Sequence, residues 1–135
     1  MFEAIKIPFG CVMLFNVLRL KEDVRPEDVE HALGEMCGVV TDCYGDDNGG
    51  FVGGQFFRYS GFVSEKGSFD PDKTTEDHIV IITYWKSFDH HENSHADWMF
   101  REKFSALREY CEEIYEVGYE MLWQGVPPAG EAGRT

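Results

Sequence analysis

The chain has 135 residues, 43% of them hydrophobic and 15% aromatic, which is the size and composition of one domain with its own core. Its 12 Lys and Arg residues face 25 Asp and Glu, and the resulting formal charge of −13 repels a phosphate backbone and excludes nucleic acid as a partner. No stretch approaches the ~18 uninterrupted apolar residues of a membrane helix, and the N-terminus lacks the pattern of a secretory signal, so a cytoplasmic protein with no membrane partner is expected. Cys11, Cys37, Cys43 and Cys111 form no C-x-x-C pair and are read as free thiols.

From Cys11 to Leu20 the run CVMLFNVLRL reads as a strand with Val12, Leu14, Asn16, Leu18 and Leu20 on one face and Met13, Phe15 and Val17 on the other. Pro26, followed by Glu27 and Asp28, opens a helix whose Val29, Leu33, Met36, Cys37 and Val40 recur at helical spacing up to about Asp42. The turn Tyr44 to Gly50 leads into a second strand from Phe51 to Phe62, where glycines at 53, 54 and 61 suggest a bulge or a close approach. A polar connection from Ser64 to Asp77 follows, then His78 to Trp85 (HIVIITYW), a central strand by its β-branched and aromatic content. Ser87 is the expected N-cap of a helical pattern from Phe88 to about Arg108, and Tyr119 to Gln124 (YEMLWQ) is the expected last strand.

The order β-α-β-β-α-β is that of an α+β, ferredoxin-like domain spanning residues 1–126, with residues 127–135 as a flexible tail. One sheet face would stay open in a monomer and is too apolar for water. The expectation is therefore a homodimer with facing sheets, a dimeric α/β barrel, or a larger homo-oligomer built from it.

Chemistry concentrates in residues 84 to 98, YWKSFDHHENSHADW. His91 and His95 are four apart on a helix and project from one face, a spacing that lets two imidazoles share one metal ion. Phe100, Phe104, Leu107 and Cys111 lie on the opposite face, so the helix is either buried on two sides or broken near residues 96 to 99. Trp98 shares the histidine stripe and would demand cover. A catalytic non-heme iron needs a carboxylate as third ligand. Asp97, Glu112, Glu113 and Glu116 are candidates that spacing alone does not separate, and the loose cluster of Glu112, Glu113, Glu116 and Glu120 otherwise reads as solvated surface. His31, His78 and His90 also read as solvated, and Cys37 on its apolar stripe fits an inert core cysteine equally well.

These residues resemble the sulfur oxygenase reductases. Trp85 and Lys86 precede His91 and His95 as a tryptophan-lysine pair precedes that family's two histidines. Glu112-Glu113-Ile114-Tyr115-Glu116-Val117-Gly118-Tyr119 is similar to its E-x-I-Y-E-x-x-Y segment, and Cys37, Val40, Thr41 and Gly50-Phe51-Val52-Gly53-Gly54-Gln55 are similar to its cysteine, valine-threonine and G-F-V-G-x-Q elements. The resemblance spans roughly residues 11 to 125. Family members are about twice as long, and Cys37 stands one residue further from Thr41 than the family pattern has it. The resemblance implies the dimeric α/β-barrel fold and a mononuclear non-heme iron held by His91, His95 and Glu112. It also implies dioxygen and elemental sulfur or a persulfide as substrates, with Cys37 as the catalytic, persulfide-forming thiolate. Two histidines and a carboxylate equally make a zinc site.

Two other readings stand beside this one. The first is a metal-free barrel resembling the antibiotic-biosynthesis monooxygenases. Heme-binding relatives of that barrel are disfavoured, because aligning their W-x-S start to Trp85 and Ser87 puts Ser94 and Phe104 where they carry a tryptophan and a histidine. The second is a non-catalytic, ligand-binding dimer.

Overall fold

The computed structural model describes residues 2–71, 78–95 and 97–128. Strand β1, Val12–Leu20, leads to helix α1, Pro26–Tyr44, and on to β2, Phe51–Arg58. A short hairpin, β3 (Phe62–Val63) and β4 (Phe69–Asp70), precedes β5, His78–Trp85. Helices α2, Phe88–His95, and α3, Trp98–Arg108, then lead into β6, Cys111–Glu120. The main sheet has the order β2-β5-β1-β6 with every pairing antiparallel, the ferredoxin-like arrangement expected.

Three boundaries differ from the sequence reading. Phe62 belongs to the β3–β4 hairpin and not to the second strand, and that hairpin reaches into the connection expected to be unstructured, of which residues 72–77 lie outside the described residues. The long helical pattern is two helices. Asp97 caps the second of them, its side chain accepting from Met99 N at 2.8 Å and Phe100 N at 3.3 Å. The last strand is Cys111–Glu120, whereas most of the expected Tyr119–Gln124 segment continues beyond the sheet with Leu122 and Trp123 exposed. Of the expected tail, residues 129–135 lie outside the described residues.

The helix-facing side of the sheet carries Leu14, Leu18, Ile79, Ile81 and Trp85, all buried. Against them α1 packs Val29, Leu33, Met36 and Val40, and α3 packs Phe100 and Leu107. These are the positions whose helical spacing marks the core faces, and each fully buried aliphatic side chain contributes about 1.5–3 kcal/mol of burial. Pro26 occupies the first turn of α1, and Arg25 N donates to Asp28 Oδ2 at 2.9 Å to close its N-terminus. The glycine-rich β2 has the irregularity its composition suggested, a register shift between Phe51 and Gly53.

Among the described residues no helix packs on the opposite sheet face. Phe57, Tyr115, Val117 and Tyr119 are 40–50% exposed there, beside Phe15 and Ile82.

Candidate metal centre and cavity

The break between α2 and α3 positions the site. Helix α2 is two turns long and presents His91 and His95 from one face towards the sheet, where β6 brings Glu116 opposite Asn16 of β1. His91 Nε2 and His95 Nε2 lie 2.9 Å apart. Glu116 Oε2 is 3.2 Å from His91 Nε2, and Glu116 Oε1 is 3.8 Å from His95 Nε2. Ligand atoms about 2.1 Å from one metal ion are separated by roughly 3.0–3.4 Å in octahedral or tetrahedral coordination; the two separations from His91 are close to that, and the Glu116–His95 separation of 3.8 Å is about 0.4 Å longer, so the three side chains are near enough to share one ion.

The surroundings hold the cluster in place. The Trp85 ring stands edge-on to His91 with centroids 5.4 Å apart, and its own Nε1 donates to Thr83 Oγ1 at 2.9 Å. Phe100 packs against His95 at 4.7 Å, and the buried Ser94 donates to the His91 carbonyl at 2.7 Å. Asn16 donates to the Ile81 carbonyl at 3.2 Å and also hydrogen-bonds the Glu116 carboxylate.

Electrostatics follow from this packing. Side-chain exposure is 13% for His91, 41% for His95 and 26% for Glu116. Burial, followed by the neighbouring His91, lowers the His95 pKa and favours the neutral imidazole a metal requires, against an opposing pull from Glu116. For Glu116 burial acts upward but is outweighed by the hydrogen bond and charge of His91, then by His95 and Asn16, and the carboxyl is held below its ordinary value.

The cluster borders a cavity of about 1190 Å³ between the sheet and the helices, with Phe51, Phe56, Phe100, Phe104 and Leu107 among its walls. Cys37 also lines it, and burial pushes that thiol up to about 11, so the protonated form dominates at neutral pH. The thiolate assigned to Cys37 by the sulfur-enzyme resemblance is therefore not its resting form.

The structure unites His91 and His95 with Glu116 and not with Glu112. Glu112 sits exposed at the start of β6, next to a register shift opposite Arg19 and Leu20, four residues before the cluster. The expectation that Glu116 belongs to a solvated acidic surface is likewise corrected, because β6 turns its side chain to the cavity. Glu116 was one of the four carboxylates the sequence left open as third ligand; its partner across β1 and β6 is Asn16, the polar residue on an apolar strand face.

Other expectations change as well. Trp98 is 66% exposed and covers nothing beside the histidines. His90 is bonded to the helix cap, its Nδ1 2.6 Å from Ser87 Oγ, and packs where Gly50, at φ +75°, leaves no room for a Cβ. His78 stacks on Tyr59, whereas His31, although paired with Glu35, is 89% exposed, as expected of a solvated residue.

No family model and no curated protein matches the chain, so the resemblance to the sulfur oxygenase reductases stands on the quoted residues alone. Solved structures do match, and the fold they share with this chain is the ferredoxin-like one. SnoaB, a cofactor-independent oxygenase from Streptomyces nogalater, superposes with a TM-score of 0.63 at 16% identity, covering 88% of this chain and 99% of its own. A hydroxynitrile lyase from Passiflora edulis matches with a TM-score of 0.61 at 12% identity over 88% of this chain and 100% of its own. A dimeric ferredoxin-like protein from Thermobifida fusca gives the same values. At these identities the shared property is the fold. Among the described residues no helix is long and apolar enough to cross a membrane.

Proposed function

We propose that the protein is an oxygenase whose centre is a mononuclear, non-heme metal ion held by His91, His95 and Glu116, with iron as the metal and a small apolar molecule as substrate. The observation that carries this reading is the convergence of two imidazole nitrogens and one carboxylate on the wall of an apolar cavity. Such a donor set leaves coordination positions open, and iron bound there would supply the redox chemistry that dioxygen requires. Glu116 contributes the single negative charge, Asn16 fixes its orientation, and Trp85 and Phe100 fix the two imidazole planes. The mostly aromatic and aliphatic walls favour an apolar reactant. A zero-valent sulfur chain, the substrate the sequence resemblance implies, has that character. Cys37 is placed to meet such a reactant as a thiol within the same cavity.

The open sheet face belongs to this reading. Tyr115, Val117 and Tyr119 form an apolar surface on the side away from the cavity, and a second copy covers it in the proposed homodimer. The dimeric state of the Thermobifida fusca neighbour supports that assembly.

The likeness to SnoaB favours a second reading, in which the barrel works without a metal. His91 and Glu116, 3.2 Å apart, would then act as a carboxylate-oriented base on a substrate proton.

Elemental analysis after anaerobic ferrous loading separates the two. About one iron per chain in the wild type, lost in His95→Ala and Glu116→Gln, is expected. A folded wild type that binds no metal, yet consumes oxygen with its substrate in the presence of a chelator, would overturn the metal centre and establish the second reading.

A further inference from the structure

The three clustered side chains form a partition between two cavities. On the helix-facing side of β1 and β6 the cross-strand pairs run Leu18–Ile114, Asn16–Glu116 and Leu14–Gly118. Leu18 and Ile114 line the large cavity, whereas Leu14 and Gly118 line a second one of about 450 Å³, and Glu116, His91 and His95 line both. The Asn16–Glu116 pair is thus the boundary, with a chamber on each side.

The chambers differ in chemistry. Of the seven described residues lining the smaller one, four are ionisable: His91, Glu92, His95 and Glu116. Glu92 is exposed at its mouth. Its far side is the Phe88 ring, which lies against the backbone of Gly118 so closely that a Cβ there would stand 2.7 Å from Phe88 Cε1. The absence of a side chain at 118 is what gives this ring its seat.

Resting on the metal-centre reading above, we infer that the smaller chamber is the port through which a divalent cation reaches the three ligands, leaving the large cavity to the apolar substrate. Most of the large cavity's lining is apolar, with Glu3 and Glu30 as its carboxylates besides Glu116, so a hydrated cation loses more solvation there than in the small chamber, where Glu92 and Glu116 offer oxygen ligands close together. The chain's charge of −13 draws cations to the surface in general, and Glu92 directs them to this mouth. The Phe88 ring narrows the passage.

The test is the rate at which chelator-stripped full-length protein takes up cobalt(II), followed by stopped-flow visible absorption at low ionic strength. Glu92→Gln should slow loading about threefold or more, with the final stoichiometry still one cobalt per chain. The difference should vanish at 1 M salt, where the Debye length is about 3 Å. Phe88→Ala should load faster than wild type. Glu30→Gln, the same charge change on a residue lining the large cavity, should leave the rate unaltered. Loading by Glu92→Gln at the wild-type rate, or equal slowing in Glu30→Gln, would overturn the port while leaving the metal centre intact. A wild type that takes up no cobalt would remove the metal centre itself, and the port with it.

Discussion

Replacing Glu116 or Glu112 by glutamine, one at a time, distinguishes the geometry of the structure from the ligand set that the sequence resemblance implies. Glu116 has oxygens 3.2 and 3.8 Å from the two histidine nitrogens in a partly enclosed site. Mutating even hydrogen-bond partners of metal ligands typically costs about 10–100-fold in metal affinity, so losing the only anionic ligand of the three should cost about 100-fold or more. Glu112 stands four residues earlier on a strand that rises ~3.3 Å per residue, so its carboxylate is about 13 Å away. A dication and a carboxylate at that distance in water interact by roughly 0.6 kcal/mol, and a Debye length of ~8 Å at physiological salt reduces this to a less than twofold effect. Cobalt(II) titration of both variants at 0.15 M salt, read from the visible absorption, measures the contrast. Equal weakening in the two, or a larger loss in Glu112→Gln, would refute the assignment of Glu116 and restore the alternative.

Other consequences are open to measurement. With the Cys37 pKa raised to about 11, only about a thousandth of that thiol is ionised at pH 8, against roughly a quarter for an ordinary cysteine at 8.5. Iodoacetamide labelling mapped by mass spectrometry should therefore leave Cys37 largely unmodified at pH 8 and accelerate about tenfold per unit up to pH 11; fast labelling at pH 8 would contradict its burial. Asp97→Ala removes the cap of α3 and the acceptor of the 2.8 Å bond from the Tyr44 hydroxyl, and should cost about 1–2 kcal/mol in urea unfolding. Val117→Asp places a charge on the open sheet face, where the side chain is exposed and the monomer tolerates it. Light scattering should then show a monomer in place of the proposed dimer; a wild type that is itself monomeric would remove that assembly.

The strand order and both core helices were legible because their apolar residues repeat at the periods of their elements. Val29, Leu33, Met36 and Val40 on α1, and Ile79, Ile81 and Trp85 on β5, are buried as their spacing implies. The helix break was legible only as a mismatch of phase between the histidines and Phe100. Its location depends on Asp97, whose capping role cannot be told from a helical aspartate without knowing where the chain turns.

The last strand was misplaced for a reason tied to the site. On most strands of this sheet the helix-facing residues are the apolar ones, but along β6 the helix-facing run includes Ile114, Glu116 and Gly118, while Tyr115, Val117 and Tyr119 point to the open face. The alternation is inverted because this part of the strand forms cavity wall, where a carboxylate and a bare backbone replace packing. A segment with that pattern reads as solvated, and the apolar YEMLWQ segment beyond it attracts the assignment instead. Glu116 was obscured by the same inversion that makes it useful. Its cross-strand partner Asn16 was the other polar feature in view, a side chain within VMLFNVLRL that bonds both the Ile81 carbonyl and the Glu116 carboxylate. A polar residue on the buried face of a central strand thus points across the sheet to its cross-strand neighbour, and in this protein that neighbour is the carboxylate of the proposed metal centre.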